Sequence, residues 1–74
     1  MIESLINVQS SNVEAVGYDS GTSELYVRFR NGSAYKYSGV PKTVYDGIFK
    51  AESVGRYLNE SIRGLYSYTR LTEA

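Results

Sequence analysis

The chain predicts an α+β domain, with a three-stranded antiparallel β-meander, two helices packed on one of its faces and a short final strand. Three observations carry this reading. Asn31-Gly32 lies between two runs rich in aromatic and β-branched residues, and glycine takes positive φ without steric cost, so the pair signals a β-hairpin. After Pro41, apolar residues recur twice at helical spacing. From Leu65 to Leu71 the pattern returns to alternation, the period of a strand.

Each element follows from local chemistry. The first seven residues have no clear period; Ile2, Leu5 and Ile6 fit one short helical turn or an edge segment. A strand is expected over Val13–Tyr18, with Val16 and Tyr18 on one face and Val13, Ala15 and Gly17 on the other. Asp19–Ser23 is a turn cluster. Leu25, Val27 and Phe29 then alternate with Tyr26, Arg28 and Arg30, and the returning strand carries Tyr35 and Tyr37 on one face with Lys36 on the other. Two registers are open. A two-residue turn at Asn31-Gly32 pairs Arg28 with Tyr35 and puts Tyr26, Arg28, Tyr35 and Tyr37 on one face, opposite Leu25, Val27 and Phe29. A three-residue loop, Arg30 to Gly32, sets Phe29 opposite Ser33 and Val27 opposite Tyr35, so the tyrosines join the apolar face.

Pro41 suits the first position of a helix, and the 41–51 segment has Val40, Val44, Tyr45, Ile48 and Phe49 on one side. Gly47 weakens that helix by about 1 kcal/mol relative to alanine and is tolerated where a neighbouring backbone comes close. Ser53 is a good N-cap for a second helix with Val54, Leu58 and Ile62 on its apolar face, Leu65 as an optional continuation of that spacing and Tyr57 beside them, and Gly64 fits the position just past its end. Phe29, Val44, Ile48, Leu58 and Ile62 are the expected core, and the last strand runs from about Leu65 to Leu71.

Composition narrows function. Seventy-four residues make one domain, residues 1–74, near the lower size limit for folding on a single core. With no cysteine and no histidine, disulfides, thiolate metal sites and Ser-His or Cys-His triads are excluded within the chain. There is no G-x-x-x-x-G-K, no G-x-G-x-x-G and no clustered acidic pair, so neither cofactor nor metal is expected, and the chain reads as a non-enzyme. No stretch is long enough to cross a membrane, and the N-terminus lacks a signal-peptide pattern, so a cytoplasmic protein is the default. Formal net charge is zero, which argues against strongly electrostatic nucleic-acid binding. Yet residues 1–27 carry −4 and residues 28–50 carry +4, leaving room for a basic face beside the plainer reading of a scattered, solvated surface.

Two patches are candidate binding sites. The first is Ser53, Gly55, Arg56, Asn59 and Arg63: a helix N-terminus offers free N–H groups to an anion, Gly55 permits approach, and arginines hold phosphate bidentately. The competing structural reading makes Ser53 only a cap, Gly55 a packing contact and Arg63 the partner of Glu60 or Asp46. The second patch is the paired motifs Tyr35/Tyr37 and Tyr66/Tyr68, with Arg28. Eight tyrosines against two phenylalanines and no tryptophan is a skewed aromatic choice; tyrosine suits half-exposed positions, whether in a stacking surface, a protein interface or a thin core.

Ser10-Ser11, Val16-Gly17-Tyr18-Asp19, Leu25-x-Val27-x-Phe29-x-x-Gly32, Tyr35-x-Tyr37 and Val40-Pro41-x-x-Val44-Tyr45 occur in an order that resembles the KTSC domain family. The likeness continues through Ala51-x-Ser53-x-Gly55-x-Tyr57-x-Asn59, Ile62-Arg63 and Tyr66-x-Tyr68-x-Arg70, so it spans roughly residues 8 to 71. Leu58 departs from it, standing where the family usually carries an aromatic. The family is named for the C-terminus of some lysyl-tRNA synthetases and includes stand-alone bacterial and phage proteins. The synthetase context of the resemblance implies RNA binding; together with the arginine and tyrosine patches and the missing catalytic motifs, it makes a non-catalytic module for RNA or another phosphate-bearing nucleotide ligand the expectation. The alternative is a small phage-type protein that sequesters a nucleotide signal, a role compatible with a homo-oligomer, or that blocks a host defence protein through a protein interface. A third reading is a structural interaction domain without a ligand.

Overall fold

Among the described residues five antiparallel strands lie in one sheet in the order in which the chain makes them, and two helices are inserted between the fourth and fifth. The computed structural model describes residues 5–8 and 10–71. The strands are β1 (Ile6–Asn7), β2 (Val13–Asp19), β3 (Glu24–Phe29), β4 (Ala34–Tyr37) and β5 (Tyr68–Arg70); the helices are α1 (Lys42–Ile48) and α2 (Val54–Ser61). The expected α+β class holds, but the three-stranded meander is corrected to a sheet of five. Ile6 and Asn7 pair with Val16 and Ala15 as an edge segment, and the final strand joins the sheet as the partner of β4. Ile2, the other residue of that N-terminal expectation, lies outside the described residues.

The hairpin takes the three-residue loop. Val27 faces Tyr35 and Leu25 faces Tyr37, while Phe29 N–H donates to Ser33 O and Gly32 N–H to Phe29 O. Gly32 adopts φ +96°, where a side chain would be strained. Tyr35 and Tyr37 therefore share the apolar face with Leu25 and Val27, and Arg28 with Tyr26 goes to the other side. A second register effect corrects β2. A β-bulge between Val13 and Ala15 pairs Val13 with Phe29 but Ala15 with Arg28. The extra residue brings Val13 round to the face of Val16 and Tyr18, where it is fully buried.

The two helices supply the rest of the core. Val40, Tyr45, Ile48, Val54, Leu58 and Ile62 form one buried cluster with Val13, Val16, Tyr18, Leu25, Val27 and Tyr37. Phe29 and Val44, expected in the core, are only partly buried at its margin. Phe49 is 45% exposed, because α1 ends at Ile48 before the face can continue. Pro41 caps α1 in an extended conformation, one position earlier than expected. Gly47 is required by a side chain, not by backbone: a methyl group there would collide with the Tyr57 hydroxyl, which donates to Val44 O at 2.8 Å and ties α2 to α1. Leu65, expected on the last strand, lies in the turn before it and is 67% exposed. No helix of the described residues is long and apolar enough to cross a membrane.

Candidate functional site

The second helix has an apolar stripe, Val54, Leu58 and Ile62, that fixes its rotation against the sheet. Ser53 Oγ accepts from Arg56 N–H at its start. At its end Arg63 N–H donates to Leu58 O, and Gly64 takes φ +81°, turning the chain back toward β5. This reversal leaves Arg63, and Asn59 four residues before it, beside the tyrosines of β4 and β5. Together they line a cleft of about 540 Å³, completed by Phe29, Asn31, Ser33 and Gly64. Two patches that are separate in the sequence are joined here, though each only in part.

The aromatic side is a contiguous cluster. Tyr35 meets Phe29 edge-on at 5.7 Å and Tyr68 edge-on at 5.7 Å, and Tyr37 lies 5.9 Å from Tyr68. The rings grade from buried to open: Tyr37 is 5% exposed, Tyr35 half-buried and Tyr68 62% exposed. Burial pushes the Tyr37 phenol above its ordinary value, while the positive charge of Arg63 pulls it the other way. Among the described residues Arg63 has no ion-pair partner. Among the described residues no carboxylate lines the cleft. Asn31 Oδ1 accepts from Ser33 N–H at 2.9 Å, which fixes the hairpin tip at the cleft mouth. A wall of tyrosine faces and edges opposite a guanidinium and an amide can stack a planar ring and hold an anion.

The other candidate residues lie elsewhere. Gly55 faces Ser10 and Asn12, and Ser10 Oγ accepts from Asn12 and Val13 N–H. Arg56 donates to Glu60 at 3.1 Å on the solvent side of α2. Arg28 lies 4.0 Å from Glu14 on the far side of the sheet, away from Tyr35 and Tyr37. Tyr66 packs against the core before β5 begins and does not line the cleft. Lys36 on the far side pairs with Glu24, whose carboxyl is held below its usual value first by the Thr22 hydroxyl and then by Lys36, against the effect of burial. Among the described residues no three acidic groups gather to hold a metal. Phe29, Asn31 and Ser33 line the cleft although no motif in the sequence marks them as site residues. The three-residue loop was the signal that could have found them, since it sets Phe29 opposite Ser33 beside the tyrosines.

Comparisons with known proteins agree on one family. The chain matches the KTSC domain over residues 9–66. It is 43% identical over 56 residues to a protein of Tsukamurella paurometabola, covering 76% of this chain and 84% of that one. A lysine–tRNA ligase of Trichormus variabilis is 34% identical over 68 residues, covering 92% of this chain but 12% of the ligase. The crystal structure of a KTSC domain protein from Yersinia pestis superposes with a TM-score of 0.89 at 29% identity, covering 97% of this chain and all of that one.

Proposed function

The chain belongs to the KTSC domain family, and on that premise we propose that it is a non-catalytic binding module for RNA or another phosphate-bearing nucleotide ligand. One observation carries the reading: the fold gathers Tyr35, Tyr37 and Tyr68 with Arg63 and Asn59 around one cleft, of a size suited to a small ligand. Bases stack on aromatic rings, and a guanidinium without an acidic partner is free to take a phosphate. The occurrence of the domain within lysine–tRNA ligases, whose name includes tRNA, supports an RNA-bearing ligand. The same cleft serves a second reading, in which the protein sequesters a free nucleotide signal.

Titration of fluorescently labelled single-stranded RNA and of nucleoside monophosphates, at low and at physiological salt, tests both readings. Binding is expected to be weak, to fall as salt rises, and to drop about tenfold in Arg63→Ala, the loss of one charge-assisted contact. The variant should keep its folding stability within about 0.5 kcal/mol, because the side chain is exposed. Absence of binding at low salt would remove the proposal.

A further inference from the structure

We propose that the cleft holds a single nucleotide unit, one base and one phosphate, and is not part of a track that follows a strand; the inference rests on the nucleotide reading above. Its ground is the distribution of charge. Among the described residues Arg63 is the one cation lining the cleft. Arg70, opposite Tyr35 on β5 and so on the cleft's face of the sheet, does not line the cleft and has a contact of its own, while Arg56 is engaged by Glu60, Arg28 by Glu14 and Lys36 by Glu24. Arg28 and Lys36 also stand on the far face of the sheet, so no strand lying in the cleft reaches them. Formal net charge is zero, so no long-range field adds to the one local charge.

The aromatic geometry gives the same answer. A track that stacks successive bases needs several rings with open faces. Here Tyr37 is buried, and Tyr35 is held between Phe29 and Tyr68, edge-on to both. Tyr68, on β5, is the one largely exposed ring of the cluster. One open ring and one cation accommodate one base and its phosphate. Asn59, a donor and an acceptor four residues before Arg63, is placed to contact sugar or base edge.

A free nucleoside monophosphate and the single-stranded end of an RNA present the same chemistry, and the test separates them. Affinities are measured for a nucleoside 5′-monophosphate, a dinucleotide, an octanucleotide and the circularised octanucleotide, across a series of salt concentrations. Affinity should stay level within about threefold from dinucleotide to octanucleotide. The logarithm of affinity should fall with the logarithm of salt with a slope of about −0.7, the value for one phosphate contact on a single strand. Tyr68→Leu should weaken every ligand by about tenfold, the lower range for one stacked base. Monophosphate binding as tight as that of the dinucleotide identifies the free nucleotide as the source. Dinucleotide binding that exceeds it, together with octanucleotide binding that is lost on circularisation, identifies a strand end. Affinity that climbs more than tenfold with length, with a slope steeper than about −2, overturns the single-unit inference and leaves the nucleotide reading standing. Binding of none of the four ligands overturns both.

Discussion

The two arginines of the second helix region differ in what faces them. Arg56, in the first turn, is solvent-exposed and already donates to Glu60 on its own helix. Arg63, just past the last turn, has a buried tyrosine beside it and, among the described residues, no acid in contact. In sequence the first is the better phosphate ligand, since it follows Ser53 and Gly55 at a helix start. The folded chain reverses that order, because a local i,i+4 acid engages Arg56 while the helix end delivers Arg63 to a cleft built by distant strands. An arginine marks a site through its free surroundings, not through the motif around it.

The contrast can be broken most severely by removing what positions Arg63. Ile62 is fully buried directly before it, and Ile62→Ala should cost about 2–5 kcal/mol in urea unfolding. Ligand affinity should fall with it at temperatures where the chain remains folded, because the cleft loses its anchored wall. Gly47→Ala comes next. The added methyl gains helix propensity, yet it drives the Tyr57 hydroxyl from Val44 O, and the net loss should be about 1–3 kcal/mol. Thermal unfolding would show it, and a stabilised variant would mean that the two helices are not held through that contact.

Smaller changes sharpen the comparison. Ser53→Ala removes the cap and should cost about 1 kcal/mol while leaving affinity for a nucleotide unchanged. Weakened binding in a folded Ser53→Ala would return the site to the start of the helix. The smallest effect is electrostatic. Since burial raises Tyr37 above the ordinary value of 10, the folded chain retains that proton where the unfolded chain releases it. The corresponding stability is complete below the unfolded value and is lost as pH rises through the folded one. Arg63 opposes the rise, so Arg63→Ala should move the Tyr37 titration further up, and Arg56→Ala should not move it. Ring-carbon shifts of labelled tyrosine, followed through alkaline pH, give both answers.

Much of the fold could be read from the chain because its signals are local. Asn31-Gly32, the Ser53 cap, Gly64 and the period of Val54, Leu58 and Ile62 each act within a few residues, and each stands where expected. The β-bulge at Val13 and the choice between two hairpin registers were not decided by pattern. In both, a one-residue shift exchanges the faces of a strand, and the packed core selects the outcome. The cleft depends on tertiary assembly. In the sequence Asn59 and Arg63 go with Ser53, and Tyr35 and Tyr37 with Arg28, yet Tyr37 comes beside Arg63 only through the pairing of β4 with β5 and the turn at Gly64.

That last pairing also sets when and how firmly the cleft exists. Strands β2 and β3 are joined by residues 20–23, and β3 and β4 by residues 30–33, so these contacts close small loops. Strand β5 finds β4 only after residues 38–67, both helices included, have been laid down. Closing the longer loop carries the larger entropic cost, which places this pairing late in folding. Three exposed residues hold it, and they form an outer edge of the sheet. Release of β5 alone would open the cleft by carrying off Tyr68 while the remaining strands kept their partners. A ligand seated between Tyr68 and Arg63 would then work as a clasp on that strand, and its binding would be felt first in the hydrogen-exchange rates of β5.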